Sequence, residues 1–232
     1  MRDRKHPWLK ARVTEALRHG FVHAYETVKV DPARFLFQLQ AAYGLPITSY
    51  PGLYSVELGK LDHIASDIRR ASMKMAAAEG AGLGLGGLLT LIPDVSILAA
   101  ITLRAVQKLS LIYGFEYNTD GEIAELWIAA ASAAGVDISR ELIEKEVVTR
   151  FVPRVIQRIA LKASTEVIER WAGRVIPVAS SVMGAGLNYY FVQAWSDRAQ
   201  SHFRERHVAV RQRASSDRAG VIVAENGTAL QP

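Results

Sequence analysis

The sequence predicts an all-α protein: a single multi-helix bundle with two Gly/Ala-rich apolar helical segments packed centrally. Three observations carry this. Apolar residues recur three and four apart along nearly the whole chain, as they do in helices that bury one face. Proline, glycine and Asp/Asn punctuation falls where such helices would start and stop. No stretch alternates long enough for a strand; Val221–Val223 is the nearest to one, and it stands alone near the end.

Taken in order, Trp8, Leu9, Val13, Ala16, Leu17, Phe21, Ala24, Tyr25 and Val28 share one side of an amphipathic helix over 8–28. Asp31-Pro32 is a cap followed by a first-turn proline, opening a short helix to about Tyr43. Residues 44–54, GLPITSYPGLY, form a loop. A longer helix over 55–79 ends Met/Ala-rich, and the run GAGLGLGG follows at 80–87. A helix over 94–113 closes at Gly114 in the manner of a C-cap, and Asn118, Thr119 and Asp120 turn the chain into a helix over 121–134. Another helix starts near Asp137 and must kink or break at Pro153. Gly173–Pro177 is a joint, and a last helix covers 178–211. The expected organisation is an N-terminal helical arm (1–54), a helical domain (55–211) and a disordered tail (212–232) that lacks periodicity.

With 232 residues, half of them hydrophobic, the chain can bury a sizeable core. It has no cysteine, which excludes disulfides, thiolate metal sites and cysteine nucleophiles. The net charge of +5 suits an anionic partner, a membrane surface before nucleic acid, because the basic C-terminal region has few interleaved aromatics. No secretory signal opens the sequence, so the expected location is cytoplasmic, peripheral to the inner membrane face.

Gly82, Gly84 and Gly87 spell G-x-G-x-x-G, but helix formers precede them and no acidic residue follows about 20 positions on, so a dinucleotide loop is not supported. Gly80 and Gly84 are four apart, as are Gly82 and Gly86, with Ala78 extending the second series. That spacing puts small residues on one helix face, where a second backbone can approach closely. Gly80–Leu103 carries only Asp94 as a charge and Val175–Ser196 carries none. Both approach the length of a bilayer span of about 20 residues, but Pro93-Asp94 interrupts the first, and Pro177, Asn188 and Gln193 dilute the second. Aromatic and basic residues flank the second segment, and Arg198, Arg204 and Arg206 follow as candidate contacts to anionic lipid.

The stretch IPDVSILAAITLRAVQKLSLIYGFEYN, with RVIPVASSVMGAGLNYYFV, resembles the EcsC family of bacterial proteins. The matching residues are Leu103, Arg104, Gln107, Tyr113 and Gly114 in the first block, and Ile176, Pro177, Gly184, Gly186 and Asn188 in the second. The chain departs from the family at Ala179 and Ser180, where a glycine is frequent. The resemblance covers roughly residues 60–200. It implies a membrane-associated protein, named after a neighbour of an ABC transporter linked to secretion, and it supplies no catalytic residues.

Among polar residues, Asp94 suits the start of a helix, where a carboxylate faces free N–H groups. Arg104 can pair with a carboxylate or bind an anionic headgroup, and Asn188 can bond to a neighbouring helix. His19 and His23 lie four apart without a third ligand, and Ser180-Ser181 lacks a nucleophile elbow. No catalytic, cofactor or metal residues are therefore assigned, and a non-enzyme is expected. Gly80, Gly82, Gly84, Gly86, Asp94, Arg104, Gly184 and Asn188 are the packing or ligand-pocket candidates. The expected function is a membrane-associated helical protein that contacts a membrane surface or membrane protein and works with a transporter or secretion system. The alternative is a soluble carrier holding a lipid-like ligand between glycine-lined helices. A homo-oligomer is compatible with either.

Overall fold

The computed structural model describes residues 7–83, 91–138, 147–172 and 181–228. Every regular element among them is a helix: α1 (Pro7–Thr27), α2 (Pro32–Tyr43), a 3-10 turn (Tyr50–Ser55), α3 (Leu58–Leu83), α4 (Leu91–Ile112), α5 (Asp120–Ala133), α6 (Val148–Ala172) and α7 (Ser181–Thr228). The run from Gly84 to Thr90, the helix expected from 137 (over 139–146) and the joint over 173–177 lie outside the described residues.

Local chemistry explains most boundaries. Asp31 caps α2 by accepting from the Arg34 amide at 3.0 Å, with Pro32 at the first helical position. Thr119 and Glu122 form a reciprocal capping box at the start of α5. Gly114 closes α4 at φ 87°, a region costly for any residue with a Cβ. The amides of Gly114 and Phe115 bond back to the carbonyls of Leu111 and Ser110, satisfying the helix end.

α4 is the central helix and packs against α1, α3, α5 and α7. Its Leu103, Val106, Leu109 and Ile112 are buried, as its largely uncharged sequence requires. α3 packs against α7, and α6 lies against α1 and α5. An aromatic column runs Phe21–Trp195–Phe191, with centroids 5.6 and 4.9 Å apart, and joins α1 to α7.

Several elements are placed differently, or in more detail, than the sequence alone suggests. α1 packs into the bundle: Val13, Leu17, Phe21 and Ala24 belong to the core cluster, and Thr14 donates to Ser164 of α6 at 2.8 Å. α4 starts at Leu91 rather than 94, because Pro93 falls in the first turn, where no intrahelical N–H bond is lost. α6 continues past Pro153, so the proline does not break the helix; Pro153 and Thr149, whose carbonyl loses its helical partner, are both exposed. α7 continues to Thr228, past the expected start of disorder at 212. Residues 212–216 are exposed there, and Ser215 and Ser216 bond back to carbonyls of Arg211 and Gln212. Over 212–216 the helix has no buried face, which is why apolar periodicity did not reveal it there.

Candidate functional site

Helix α2 rests on the bundle through the buried Phe35 and Leu39. Between α2, α3 and α4 lies a half-open groove of about 460 Å³. Its walls are mainly apolar, from Phe35, Leu39, Ile68, Met75, Ile97 and Ile101. Arg104 and Lys108, one turn apart on α4, bring two cations to it. Lys108 Nζ sits 5.9 Å from the centroid of the Phe35 ring, within cation–π range. Burial, and then the neighbouring Arg104 charge, lower the Lys108 pKa.

The groove has a polar end and an apolar end. Tyr113, just past the end of α4, donates to Asp62 near the start of α3 at 2.7 Å, so the two helices run antiparallel. Lys108 and Arg104 therefore fall toward Asp67 and Tyr43, whereas Ile97 falls toward Met75 and Glu79. Asp67 is matched by Arg70 at 2.8 Å, and burial followed by the Asp67 charge raises the Tyr43 pKa. The rise from Ile97 to Lys108 is about 16 Å at 1.5 Å per residue. The shape suits an amphiphile with an anionic head and an apolar chain.

A second polar constellation lies between α3 and α7. Arg204 Nε donates to both oxygens of Asp62 at 3.0 Å. Asp62 also accepts from the fully buried Tyr113, whose hydroxyl accepts from Gln200 at 3.1 Å. Gln200 accepts from Arg69 at 2.7 Å, and Arg69 also pairs with Asp197. Burial raises the Tyr113 pKa far enough that it remains a neutral donor. Each member is occupied by another, so this network fastens helices and offers no open reacting centre.

The sequence-derived candidates separate accordingly. Arg104 is exposed and lines the groove. Asn188 is buried on α7, and Asp94 lies in the first turn of α4. Gly80 and Gly82 lie in the last turn of α3, Gly184 in the first turn of α7, and Gly84 and Gly86 outside the described residues. A Cβ built on Gly186 would meet nothing within 4 Å among the described residues. The three arginines proposed for lipid already have protein partners. Arg198 donates to the Ala194 carbonyl at 3.1 Å and Arg204 binds Asp62. Arg206 pairs with Glu125 at 3.0 Å and covers the Phe115 ring at 4.5 Å. His19 pairs with Glu15 at 2.9 Å, and among the described residues no three metal-ligating side chains come together. No helix among them is long and apolar enough to cross a membrane.

Sequence reasoning missed Lys108 and the α2 contribution. The signal available was the i, i+4 spacing of Arg104 and Lys108 on an otherwise apolar helix. What it could not show was that α2 would stand opposite them.

A family model described as the EcsC protein family matches residues 11–208. Protein EcsC of Bacillus subtilis (strain 168) is similar, at 28% identity over 130 residues, covering 56% of this chain and 55% of that protein. The match thus spans about half the length of that curated relative. No solved structure matches the chain. With most of its length inside the family match, the chain belongs to the EcsC family.

Proposed function

We propose that this EcsC-family protein acts by binding rather than by catalysis, at a membrane surface, and that the α2–α3–α4 groove takes up one anionic amphiphile. The observation that supports this is the pairing of a long apolar wall with Arg104 and Lys108 at one end of the same 460 Å³ groove. An alkyl chain lying between Met75 and Ile97 would leave water, and a carboxylate or phosphate beside the two cations would gain charge-assisted hydrogen bonds.

Titration with a dansyl-labelled undecanoate in solution tests the reading. Wild type is expected to give saturable fluorescence enhancement. Arg104→Gln with Lys108→Gln should weaken binding about tenfold, the scale of one lost charge-assisted contact. Ala71→Trp, on the exposed side of α3 where it lines the groove, should block binding without disturbing the core. Absence of saturable binding by the wild type, or full binding by Ala71→Trp, would count against the groove.

A further inference from the structure

Large apolar side chains in water are informative when they gather around one feature. Two do so here, Met75 (48% exposed) and Ile97 (36%), and the more exposed Phe37 (67%) stands on α2, the helix that walls the groove. Met75 and Ile97 line the groove itself. Phe37 lies on the outer face of α2 with Arg34, Gln38 and Ala41, by three- and four-residue spacing, and Gln38 also lines the groove. The exposed Arg104 and the half-buried Lys108 line the groove, and the exposed Arg34 lies on α2 one turn before Gln38.

The nearby carboxylates do not cancel this charge. Asp67 is matched by Arg70, Asp31 stays charged at the start of α2, where it accepts from the Arg34 amide, and Glu79 lies toward the other end of the groove, so Arg34, Arg104 and Lys108 outnumber the unmatched carboxylates. By contrast, Arg204 and Arg206 on α7 are neutralised by Asp62 and Glu125, so that helix is a poorer anionic-lipid surface than its composition suggests.

We propose that the mouth of the groove is the membrane-docking face, with an anionic bilayer as its partner. Phe37, Met75 and Ile97 enter the apolar edge of the leaflet, and Arg34, Arg104 and Lys108 meet anionic headgroups. This rests on the reading of the groove as an amphiphile site and adds its orientation. An amphiphile then passes between leaflet and groove without its chain crossing water.

The test is co-sedimentation of the full chain with phosphatidylglycerol–phosphatidylcholine vesicles, beside pure phosphatidylcholine vesicles and the dansyl-undecanoate titration in solution. Wild type should sediment with the anionic vesicles and lose binding at high salt. Phe37→Ser should weaken sedimentation about tenfold, the scale of withdrawing one phenylalanine from an apolar phase, and leave dansyl-undecanoate binding unchanged. Leu161→Ser, at an exposed apolar site on α6, should leave both unchanged. The docking face is overturned if wild type does not sediment, if Phe37→Ser with Met75→Ser sediments like wild type, or if Leu161→Ser loses as much. A protein that binds the dansyl probe but never sediments is a carrier in solution. Phe37-dependent sedimentation without any probe binding would sustain the docking face and overturn the groove as an amphiphile site.

Discussion

His207 shows how one residue can tie the fold to pH. It is fully buried, its Nδ1–H donates to the Tyr113 carbonyl at 2.9 Å, and its ring stacks on Tyr54 at 4.8 Å. Its Nε2 meets no hydrogen-bond partner among the described residues. Burial lowers its pKa, and the nearby Arg211 charge acts in the same direction, against the Tyr113 hydrogen bond and the Asp62 charge. Protonation is therefore easier in the unfolded chain. Above the ordinary histidine range both states are neutral and the contribution of His207 is intact. As pH falls through that range toward the lowered native value, the unfolded state takes up more protons and stability is lost. Urea unfolding should show stability decreasing from about pH 7.5 to about pH 5.5. His207→Phe, which keeps an aromatic ring at the site, should show a flatter profile, and an equally steep one would assign the titration to another group.

At the scale of an element, glycines that look alike in sequence do different work. Gly114 ends α4 in a left-handed conformation, and a Cβ there would lie 3.1 Å from the Tyr54 ring. Gly114→Ala should cost at least about 1–2 kcal/mol from backbone strain alone. Gly186 lies within α7 with no described residue within 4 Å of an added Cβ, so Gly186→Ala should stabilise by about 0.5–1 kcal/mol through helix propensity. Chemical denaturation of the two variants checks both signs, and destabilisation by Gly186→Ala would restore the idea that small residues are needed on this part of α7. The helix ends themselves were legible in advance: Asp31-Pro32, Thr119 and Gly114 act through their own backbone neighbours, so short sequence motifs suffice to place them.

Across the whole molecule, the helices cohere through side chains distant in sequence. α1 covers α4 and α6 and contributes Phe21 to the Trp195 stack. Deleting residues 1–31 should therefore abolish cooperative unfolding, because it strips the core of Val13, Leu17, Phe21 and Ala24. Replacing Gln212, Arg213, Ser215 and Ser216 with alanine should leave the melting temperature within about 2 °C, since residues 212–216 bury nothing. A cooperative transition in the first variant would return α1 to the status of an appendage.

The amino-acid order by itself determined that the chain is helical, where most helices begin and end, and which family its Leu103–Gly114 and Gly184–Asn188 blocks resemble. These properties depend on local propensity, capping and apolar period, which act within a few turns. Only the tertiary structure decided that Arg104 joins Lys108 at a groove walled by α2, that Arg204 and Arg206 are spent on Asp62 and Glu125, and that Met75 and Ile97 line the same groove. Whether a charge is free or matched, and whether an apolar side chain is covered, depends on partners from other helices, and no local rule encodes that pairing.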